Sequence, residues 1–412
     1  MSKNRPLLVP QYMQQFACTG SQCDDTCCTG WRIFVDQNTY RKYQRVPDME
    51  LRQVLNAHIK RNRSNPTKAN YGRIKMNSDN DCPLMNKESL CGIQLQLGEE
   101  YLCDVCATYP RVANMVNNVL EKSTPLSCPE AARLVLLNPD GIEFDEISEP
   151  VETRNLLNRQ IDTHKLALSN KPERYFWELR IFTIQVLQNR NYTLAERLII
   201  LGMFYQKVQT QIDEGQVGEI PNTIASYTNL LAGEDLRAEL DGIPSLVTIQ
   251  MKLMKELTDE RVIKGVSNQR YLNCFAQFLL GVQYTREATV GENAARYQEA
   301  EEKYYRPFMA DHEYILENYL VNYVFKNLFP FSGEKNLSDN YVMMVVHYAM
   351  VKMHLIGMAA FHQGLTEELI IQLIQSFSRV VEHNVQYLQH AFKLLKDNDF
   401  TTMAYMAILI KN

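Results

Sequence analysis

The sequence predicts a mainly α protein, with an irregular Cys-rich metal-binding N-terminal domain followed by an all-helical domain. Two observations carry this prediction. Nine of the ten cysteines lie within the first 128 residues, and the rest of the chain holds only Cys274. After residue 151, apolar residues recur at helical spacing, whereas the alternation typical of strands is scarce throughout the chain. The boundaries that follow are 1–140 for the first domain and 151–412 for the second.

Composition excludes several classes of protein. The 412 residues carry a formal net charge of −5, so no general attraction to nucleic acid is expected. The start of the chain lacks an apolar stretch of signal-peptide length, which favours a cytoplasmic protein with reduced thiols. The longest apolar run, residues 341–362, contains His347, Lys352 and His354. Those polar groups suit a buried helix better than a membrane span, and no membrane span is predicted.

Secondary structure in the first domain is expected to be sparse. Residues 1–137 have short apolar stretches interrupted by Gly, Pro, Asn and Asp, with one predicted helix over about 47–60. The polar segment 65–82 is expected to be a loop. A strong turn signal at residues 138–141 precedes an acidic stretch to Pro150, which is expected to be a linker.

The second domain shows clearer helical signals. Pro172 suits a first helical turn, and the residues at 176, 179, 182 and 186 form an apolar helical face. Thr193, Thr248, Ser338 and Thr366 stand before later helical patterns as N-cap candidates. The stretch opened by Thr366 is predicted to run to about Lys396, and a break is expected at residues 331–333.

The cysteines form the main chemical signal. Closely spaced pairs let one loop supply two thiolates, and nearby glycines permit the backbone conformations that wrap a cluster. Pure sulfur ligation from scattered loops favours an iron–sulfur cluster, with zinc as the alternative. A metal that only staples a loop-rich domain is a further alternative. The predicted metal ligands are Cys18, Cys23, Cys27, Cys28, Cys82, Cys91, Cys103, Cys106 and Cys128.

The helical domain contains an aromatic-rich stretch that suits a polar pocket. Tyr319 and Tyr323 are four residues apart and share a helical face. Tyrosine faces attract a cationic group, and a carboxylate such as Glu317 helps to steer it. A tyrosine-rich core with satisfied hydroxyls is the alternative. No glycine-rich nucleotide-binding motif is present. The candidate catalytic residues are Tyr304, Tyr305, Glu317, Tyr319 and Tyr323.

Arg180 and Arg190 are candidates for binding a carboxylate, with pairing to Glu178 or Glu196 inside a helical bundle as the alternative.

The histidines at positions 347, 354 and 362 fall near one helical face. Such a stripe is more typical of core and rim positions than of a metal site, because about two turns separate neighbouring rings.

With these motifs written out, the chain resembles the flagellin lysine-N-methylase family. The likeness spans nearly the whole chain, and the first third also resembles small Cys-rich proteins described as zinc- or iron-chelating. In the front third it rests on Cys23-x3-Cys27-Cys28-x-Gly30-Trp31, Cys82-Pro83, Cys106-x2-Tyr109-Pro110-Arg111 and Ser127-Cys128-Pro129-Glu130. In the helical part it rests on Trp177-x-Leu179-Arg180, Gln188-x-Arg190, Glu317-Asn318-Tyr319-Leu320-Val321-Asn322 and Phe329-Pro330-Phe331.

The resemblance implies methyl transfer from S-adenosylmethionine to lysine side chains of flagellin, with a 4Fe–4S cluster bound by cysteines. Cys103 departs from the family pattern, which often has Ser there, and is the least secure ligand. The alternative hypothesis is a non-catalytic, metal-stapled helical chaperone or adaptor that binds flagellin. A redox or metal-storage role is disfavoured by the large helical domain. The candidate cofactor-binding residues are Trp31, Tyr109, Arg111, Arg180 and Arg190.

Overall fold

Helices form most of this protein, which confirms the mainly α prediction. The structure is a computed structural model and describes residues 4–165, 168–233, 240, 242–243 and 246–411. Short helices in the first third alternate with strands and loops. They are Tyr12–Gln15, Gln37–Tyr43, Met49–His58, Gly92–Leu97, Asp104–Thr108 and Pro129–Leu136. The helix predicted over 47–60 is confirmed as Met49–His58, and the Asp48 carboxylate caps its first backbone N–H groups.

The described residues contain two β-sheets, and both lie before the long helices. A three-stranded sheet has the order β2-β4-β3, where β2 is Phe34–Val35, β3 is Ile59–Arg61 and β4 is Gly72–Ile74. Its buried face packs on a small core that includes two buried cysteine side chains, Cys82 and Cys103. The segment 65–82, expected to be a loop, therefore contains a central strand.

The second sheet was not predicted and has five strands: β1 Asn4–Pro10, β5 Val112–Val116, β6 Val119–Ser123, β7 Phe144–Pro150 and β8 Leu157–Ile161. Their order in the sheet is β7-β1-β6-β5-β8. The expected linker is wrong, because residues 144–150 form β7 and pair along all seven residues of β1. The expectation that residues after 151 are all helical is also wrong, because β8 lies at residues 157–161. Strand pairing between distant segments has no local sequence signal, and these strands are only five or seven residues long.

The helical part follows the predicted pattern closely. Thr193 caps its helix in a capping box with Glu196, and Thr366 caps the helix that follows it. The two helices expected after Thr248 and Ser338 are present, but these residues are not their N-caps, because the helices begin one residue earlier, at Val247 and Leu337. The longer helices are Phe176–Leu187, Leu194–Asp213, Ile220–Gly233, Val247–Ile263, Gln269–Gly281, Val290–Ala300, Arg306–His312, Tyr314–Lys326, Leu337–His362, Glu367–Phe377, Val385–Asp397 and Met403–Lys411.

Two π-helical turns interrupt this pattern. One is Glu301–Tyr305 and the other is Ser378–Glu382, directly after the helix Glu367–Phe377. π-Helical turns occur frequently at functional sites, because the extra residue in the turn shifts the side chains that follow it. The predicted break at residues 331–333 is confirmed between the helices Tyr314–Lys326 and Leu337–His362.

The helix Leu337–His362 is the centre of the core. In the described part of the chain it is the one helix with the length and hydropathy to cross a membrane, and its most apolar window is completely buried. The helix Gln269–Gly281 crosses it where Gly281 meets Gly357. A Cβ on Gly281 would lie 1.9 Å from the Gly357 carbonyl oxygen, so this crossing requires glycine. The burial agrees with the prediction of a core helix.

Candidate active site

Backbone contacts bring the loops that carry the cysteines together. The Cys82 amide donates a hydrogen bond of 2.8 Å to the Cys28 carbonyl. Met85 and Cys91 form an antiparallel bridge, which joins the segment after Cys82 to the segment that carries Cys91. Cys103 and Cys128 each stand directly before a short helix. Segments far apart in the sequence therefore meet in one small region.

The thiols of this region are free and interact with one another. All ten cysteines are unpaired by disulfides, and Cys18 and Cys27 are exposed. Hydrogen bonding to Cys28 raises the pKa of Cys27, and Cys106 lowers the pKa of Cys103 through a hydrogen bond. Burial raises the pKa of Cys82 to about 11, and the charges of Cys91 and Cys103 act in the same direction. The sulfurs are thus near enough to interact electrostatically.

The side chains available as ligands suit a metal ion or cluster that is bound through sulfur. In the described ranges, no three His, Cys, Asp or Glu side chains stand in the geometry of a preformed metal site. Cys28 directly follows Cys27 in the sequence and Cys106 lies three residues after Cys103, and each of these neighbours shifts the pKa of the first thiol. Thiolates of this density match the ligand preference of iron–sulfur clusters and zinc. The identity of the ligands stays a prediction.

The helical part docks on these loops through the π-helical turn Ser378–Glu382. Arg379 donates to the Thr29 carbonyl at 2.6 Å and to the Thr26 carbonyl at 3.1 Å, and it also contacts the Asp25 carboxylate. Gln375, one helical turn earlier, donates to the Asp25 carboxylate at 2.8 Å. The loop from Asp25 to Thr29 carries Cys27 and Cys28, so Arg379 fixes the position of both thiols.

A hydrogen-bonded chain runs from the docked turn to the aromatic residues of the cysteine loops. His383 Nε2 lies 2.9 Å from Ser127 Oγ, and this hydroxyl lies 3.1 Å from the Tyr109 hydroxyl. The Tyr109 ring packs against Trp31 at 5.7 Å between centroids. Trp31 in turn donates its indole N–H to the Cys27 carbonyl at 2.7 Å.

His383 stands at the outer end of this chain. The residue is exposed to solvent. Partial desolvation of its ring by the surrounding protein is the largest cause that lowers the pKa of His383 to about 4, and the positive charges of Lys326 and Arg379 act in the same direction. The neutral imidazole is therefore available as a hydrogen-bond partner at neutral pH.

Tyr319 and Tyr323 lie beside the same turn. The Tyr319 hydroxyl donates to Glu382 at 2.7 Å, and the Tyr323 ring packs against His347 at 5.4 Å. Burial raises the pKa of Glu382, but the positive charge of Lys326 and hydrogen bonds from Tyr319 and Ser378 lower it overall to about 2. The carboxylate is thus ionised and buried next to a tyrosine hydroxyl.

The other catalytic candidates lie elsewhere. Glu317 is 1% exposed, and both its oxygens are bound by Arg190 and Arg197, at 2.9 Å and 2.6 Å. Tyr305 is buried in a separate group, where its ring lies 5.9 Å from the ammonium of Lys352. Its neighbour Tyr304 is half-buried and contacts Lys303. The structure brings together Tyr319 and Tyr323, but not all five predicted residues.

The two arginines expected to bind a cofactor carboxylate each hold a protein carboxylate instead. Arg180 forms two hydrogen bonds to the buried Glu121, at 2.7 Å and 2.6 Å, and Arg190 binds Glu317. Pairing of these arginines with carboxylates of the protein was the alternative prediction. The pairing occurs, but the partners are Glu121 and Glu317, not Glu178 and Glu196. Arg111 is exposed and packs over the Phe16 ring at 5.3 Å.

Sequence reasoning missed Arg379, Glu382 and His383. Glu382 and His383 lie three and four residues after Arg379, so all three share one helical face in an otherwise apolar stretch. That polar face is the signal that could have identified them. Nothing local, however, indicates that this face packs on loops about 350 residues earlier in the chain.

Comparison with known proteins gives the family. The family described as "FliB lysine N-methylase C-terminal domain" matches residues 180–409, more than half of the chain. This chain belongs to the FliB lysine N-methylase family. The match includes the π-helical turn with Arg379, Glu382 and His383, and the helix that carries Tyr319 and Tyr323. The cysteine loops lie before the matched residues.

Curated relatives extend the similarity across the chain. The Lysine-N-methylases of Salmonella choleraesuis (strain SC-B67) and Salmonella typhimurium (strain LT2) are each 25% identical over 387 residues, covering 91% of both chains. The "Flagellar biosynthetic protein FliU" of Salmonella muenchen is 33% identical over 141 residues, which cover 33% of this chain and 80% of that protein. No solved structure matches this FliB-family chain.

Proposed function

We propose that this chain is a cytoplasmic protein-lysine N-methyltransferase that transfers methyl groups from S-adenosylmethionine to lysine side chains of flagellin. Membership of the FliB family and similarity to two Lysine-N-methylases support the reaction. The FliU relative, named as a flagellar biosynthetic protein, supports a flagellar substrate. The observation that carries a site for this reaction is the docking of Arg379 and His383 on the cysteine loops, beside Tyr319 and Glu382.

Lysine methylation requires a neutral amine. The unperturbed pKa of lysine is about 10.4, so the enzyme has to remove a proton before the amine attacks the methyl group. Glu382 is ionised and accepts a hydrogen bond from the Tyr319 hydroxyl, and this pair is proposed to attract and orient the lysine ammonium. With a pKa of about 2 the carboxylate is a weak base, so the proton is passed on to solvent. The buried tyrosine rings exclude water and favour the uncharged amine.

Proton release to solvent is assigned to the hydrogen-bonded chain of Tyr109, Ser127 and His383. Tyr109, Ser127 and His383 are linked by contacts of 3.1 Å and 2.9 Å, and His383 reaches solvent. A hydroxyl can pass a proton along such contacts by donating one hydrogen bond while accepting another. The aromatic faces of Trp31 and Tyr109 are the proposed contacts for the positively charged donor sulfur.

Four of the nine amino-terminal cysteines are proposed to hold a 4Fe–4S cluster. Bound there, the cluster would supply a structural anchor for the loops and an electrophilic iron for polar groups of the donor. The contribution of the chain is positional: the Cys82–Cys28 backbone contact and the Arg379 contacts hold the sulfur-bearing loops beside the tyrosine site. Zinc is the alternative metal.

The test combines metal analysis with a methylation assay on the full chain. Protein purified without oxygen is expected to be brown and to contain iron, and Cys82→Ala is expected to lose iron while the matched variant Cys274→Ala keeps it. Cys274 is buried in the helical part and away from the predicted ligands. With flagellin and S-adenosylmethionine, intact mass spectrometry is expected to show methyl-sized steps. Flagellin binding without any mass step would contradict the enzyme and support the adaptor.

A further inference from the structure

The outer face of the three-stranded sheet is strongly basic. Between residues 32 and 75 the sequence contains eleven Arg and Lys residues but three Asp and Glu residues, while the whole chain has a net charge of −5. Burial alternates along this region: Ile33, Val35 and Ile74 are buried, whereas their neighbours Arg32, Phe34, Arg73 and Lys75 are exposed. The inner face packs on the cysteine core, so the outer face is free for contact.

Strand register places the exposed cations in a compact array. Phe34, Arg73 and Lys60 are direct cross-strand partners across β2, β4 and β3. Arg32 and Lys75 lie two residues from Phe34 and Arg73, and therefore on the same face. We define the basic face as Arg32, Phe34, Lys60, Arg73 and Lys75, all of which are exposed.

These cations lack carboxylate partners within the described chain. In the described residues, no ion pair involves any of the four cations of the basic face. Their one side-chain hydrogen bond in that part of the chain runs from Lys60 to the Asn56 carbonyl, at 2.9 Å. Lys60 and Arg73 stand directly opposite each other, an arrangement of like charges that destabilises a sheet. An anionic partner would relieve that repulsion.

We propose that the basic face binds an extended acidic segment of a polypeptide. Alternate residues of an extended chain are about 6.7 Å apart, the same repeat that separates Arg73 from Lys75 on β4. Carboxylates at every second position would therefore meet successive cations, while Phe34 offers an apolar contact between them. The negative net charge of the whole protein and the single aromatic ring on this face disfavour nucleic acid.

The identity of the partner rests on the proposed function: an acidic segment of the methylated protein would be held by this face while its lysine enters the tyrosine site. Binding by a separate face lowers KM without changing the chemical step. The basic face and the site are parts of one unit, because the inner face of the sheet packs with Cys82 and Cys103.

The test uses a fluorescent peptide of about ten residues that alternates Glu and Ser, so that its carboxylates repeat at the spacing of the basic face. The quadruple variant Arg32→Gln, Lys60→Gln, Arg73→Gln and Lys75→Gln is compared with a control that removes four exposed charges from the helices, Lys207→Gln, Lys252→Gln, Lys264→Gln and Lys393→Gln. Fluorescence anisotropy is expected to show binding weakened about tenfold or more in the first variant and nearly unchanged in the second.

A charge-preserving variant, Arg32→Lys, Lys60→Arg, Arg73→Lys and Lys75→Arg, is expected to keep binding, which separates charge from folding. Equal weakening in both Gln variants would overturn the proposal, and so would tighter binding of a single-stranded oligonucleotide of matched charge. Absence of peptide binding to the unmodified protein would overturn it as well. Because this assay needs neither donor nor methyl transfer, its result is independent of whether the methylation assay succeeds.

Discussion

Tyr319 donates a hydrogen bond to Glu382 across 2.7 Å, and this contact joins the helix Tyr314–Lys326 to the π-helical turn Ser378–Glu382. Tyr319 is 1% exposed, and the carboxylate also binds Lys326 at 3.2 Å and Ser378 at 2.9 Å. The next residue, His383, contacts the loop before Cys128. Glu382 and His383 are adjacent in the chain. Through them, the buried and ionised carboxylate is joined to the region that carries the cysteines.

Removal of the Tyr319 hydroxyl tests its role in orienting the substrate amine. Tyr319→Phe is expected to lower the rate of methyl transfer by about 100-fold, in the range of a misplaced reacting group, while costing about 1.5–3 kcal/mol of stability because Glu382 loses a hydrogen bond. The measurement is kcat and KM over a range of pH, with urea denaturation for stability. Tyr341→Phe is the matched control, because the buried Tyr341 hydroxyl binds only the Leu198 carbonyl in the described structure. Equal rates for both variants would contradict the role.

Arg379 should determine the accessibility of the cysteine loops. Arg379→Met removes the donors to Asp25, Thr26 and Thr29, so the loop that carries Cys27 and Cys28 loses its anchor to the helices. We expect several-fold faster reaction of the thiols with a disulfide reagent in metal-free protein. Lys393→Met, which removes a cation from an exposed pair with Asp397, serves as the control. Unchanged thiol reactivity in Arg379→Met would show that the loops are held by other contacts.

Arg180 is predicted to be structural, not a donor-binding residue. It is 2% exposed and pairs with Glu121, which is 1% exposed, so Arg180→Met leaves a buried carboxylate without its cation. The expected cost is about 3–5 kcal/mol of unfolding free energy. Replacing both partners, in Arg180→Met with Glu121→Leu, is expected to recover part of that loss.

Chemical denaturation of the two variants measures these energies, and donor affinity is measured on the folded protein. Weaker donor binding with unchanged stability in Arg180→Met would restore the original hypothesis for this arginine. The exposed Arg174, six residues earlier on the chain, provides a control in which Arg174→Met changes stability by about 0.5 kcal/mol or less.

Acidification should unfold the protein partly through His354. This residue is fully buried, its Nδ1 lies 2.7 Å from the Met350 carbonyl, and burial lowers its pKa to about 4. The unfolded chain, with a histidine pKa of about 6.5, binds more protons between these values. Stability therefore falls as the pH drops from about 6.5 to 4, by about 3 kcal/mol from this group.

The variant His354→Leu is expected to flatten that pH dependence, because no proton is then taken up on unfolding at this position. Within the described structure its Nε2 has no hydrogen-bond partner, so an apolar replacement leaves no new unsatisfied group behind. Urea denaturation at a series of pH values measures the slope, with the exposed His362→Gln as control. An unchanged slope in His354→Leu would show that other groups dominate acid unfolding.

Local patterns predicted the helices well. The apolar spacing at Phe176, Leu179 and Phe182 and the capping residues Thr193 and Thr366 depend on neighbours within one or two helical turns. The crowding of cysteines and the family motifs are likewise present in the sequence itself. By contrast, β1 and β7 lie more than 130 residues apart, and neither strand carries an alternating pattern strong enough to identify it.

The helical class, the positions of most helices, the cysteine-rich first third and the family can all be inferred from the order of the residues. The pairing of charges and the contacts between faces depend on the folded chain: Arg180 binds Glu121, Glu317 binds Arg190 and Arg197, and Arg379 binds the loop at Asp25. Helix periodicity and capping are properties of contiguous residues. The partner of a buried charge is fixed by packing between segments hundreds of residues apart, and no local pattern encodes that choice.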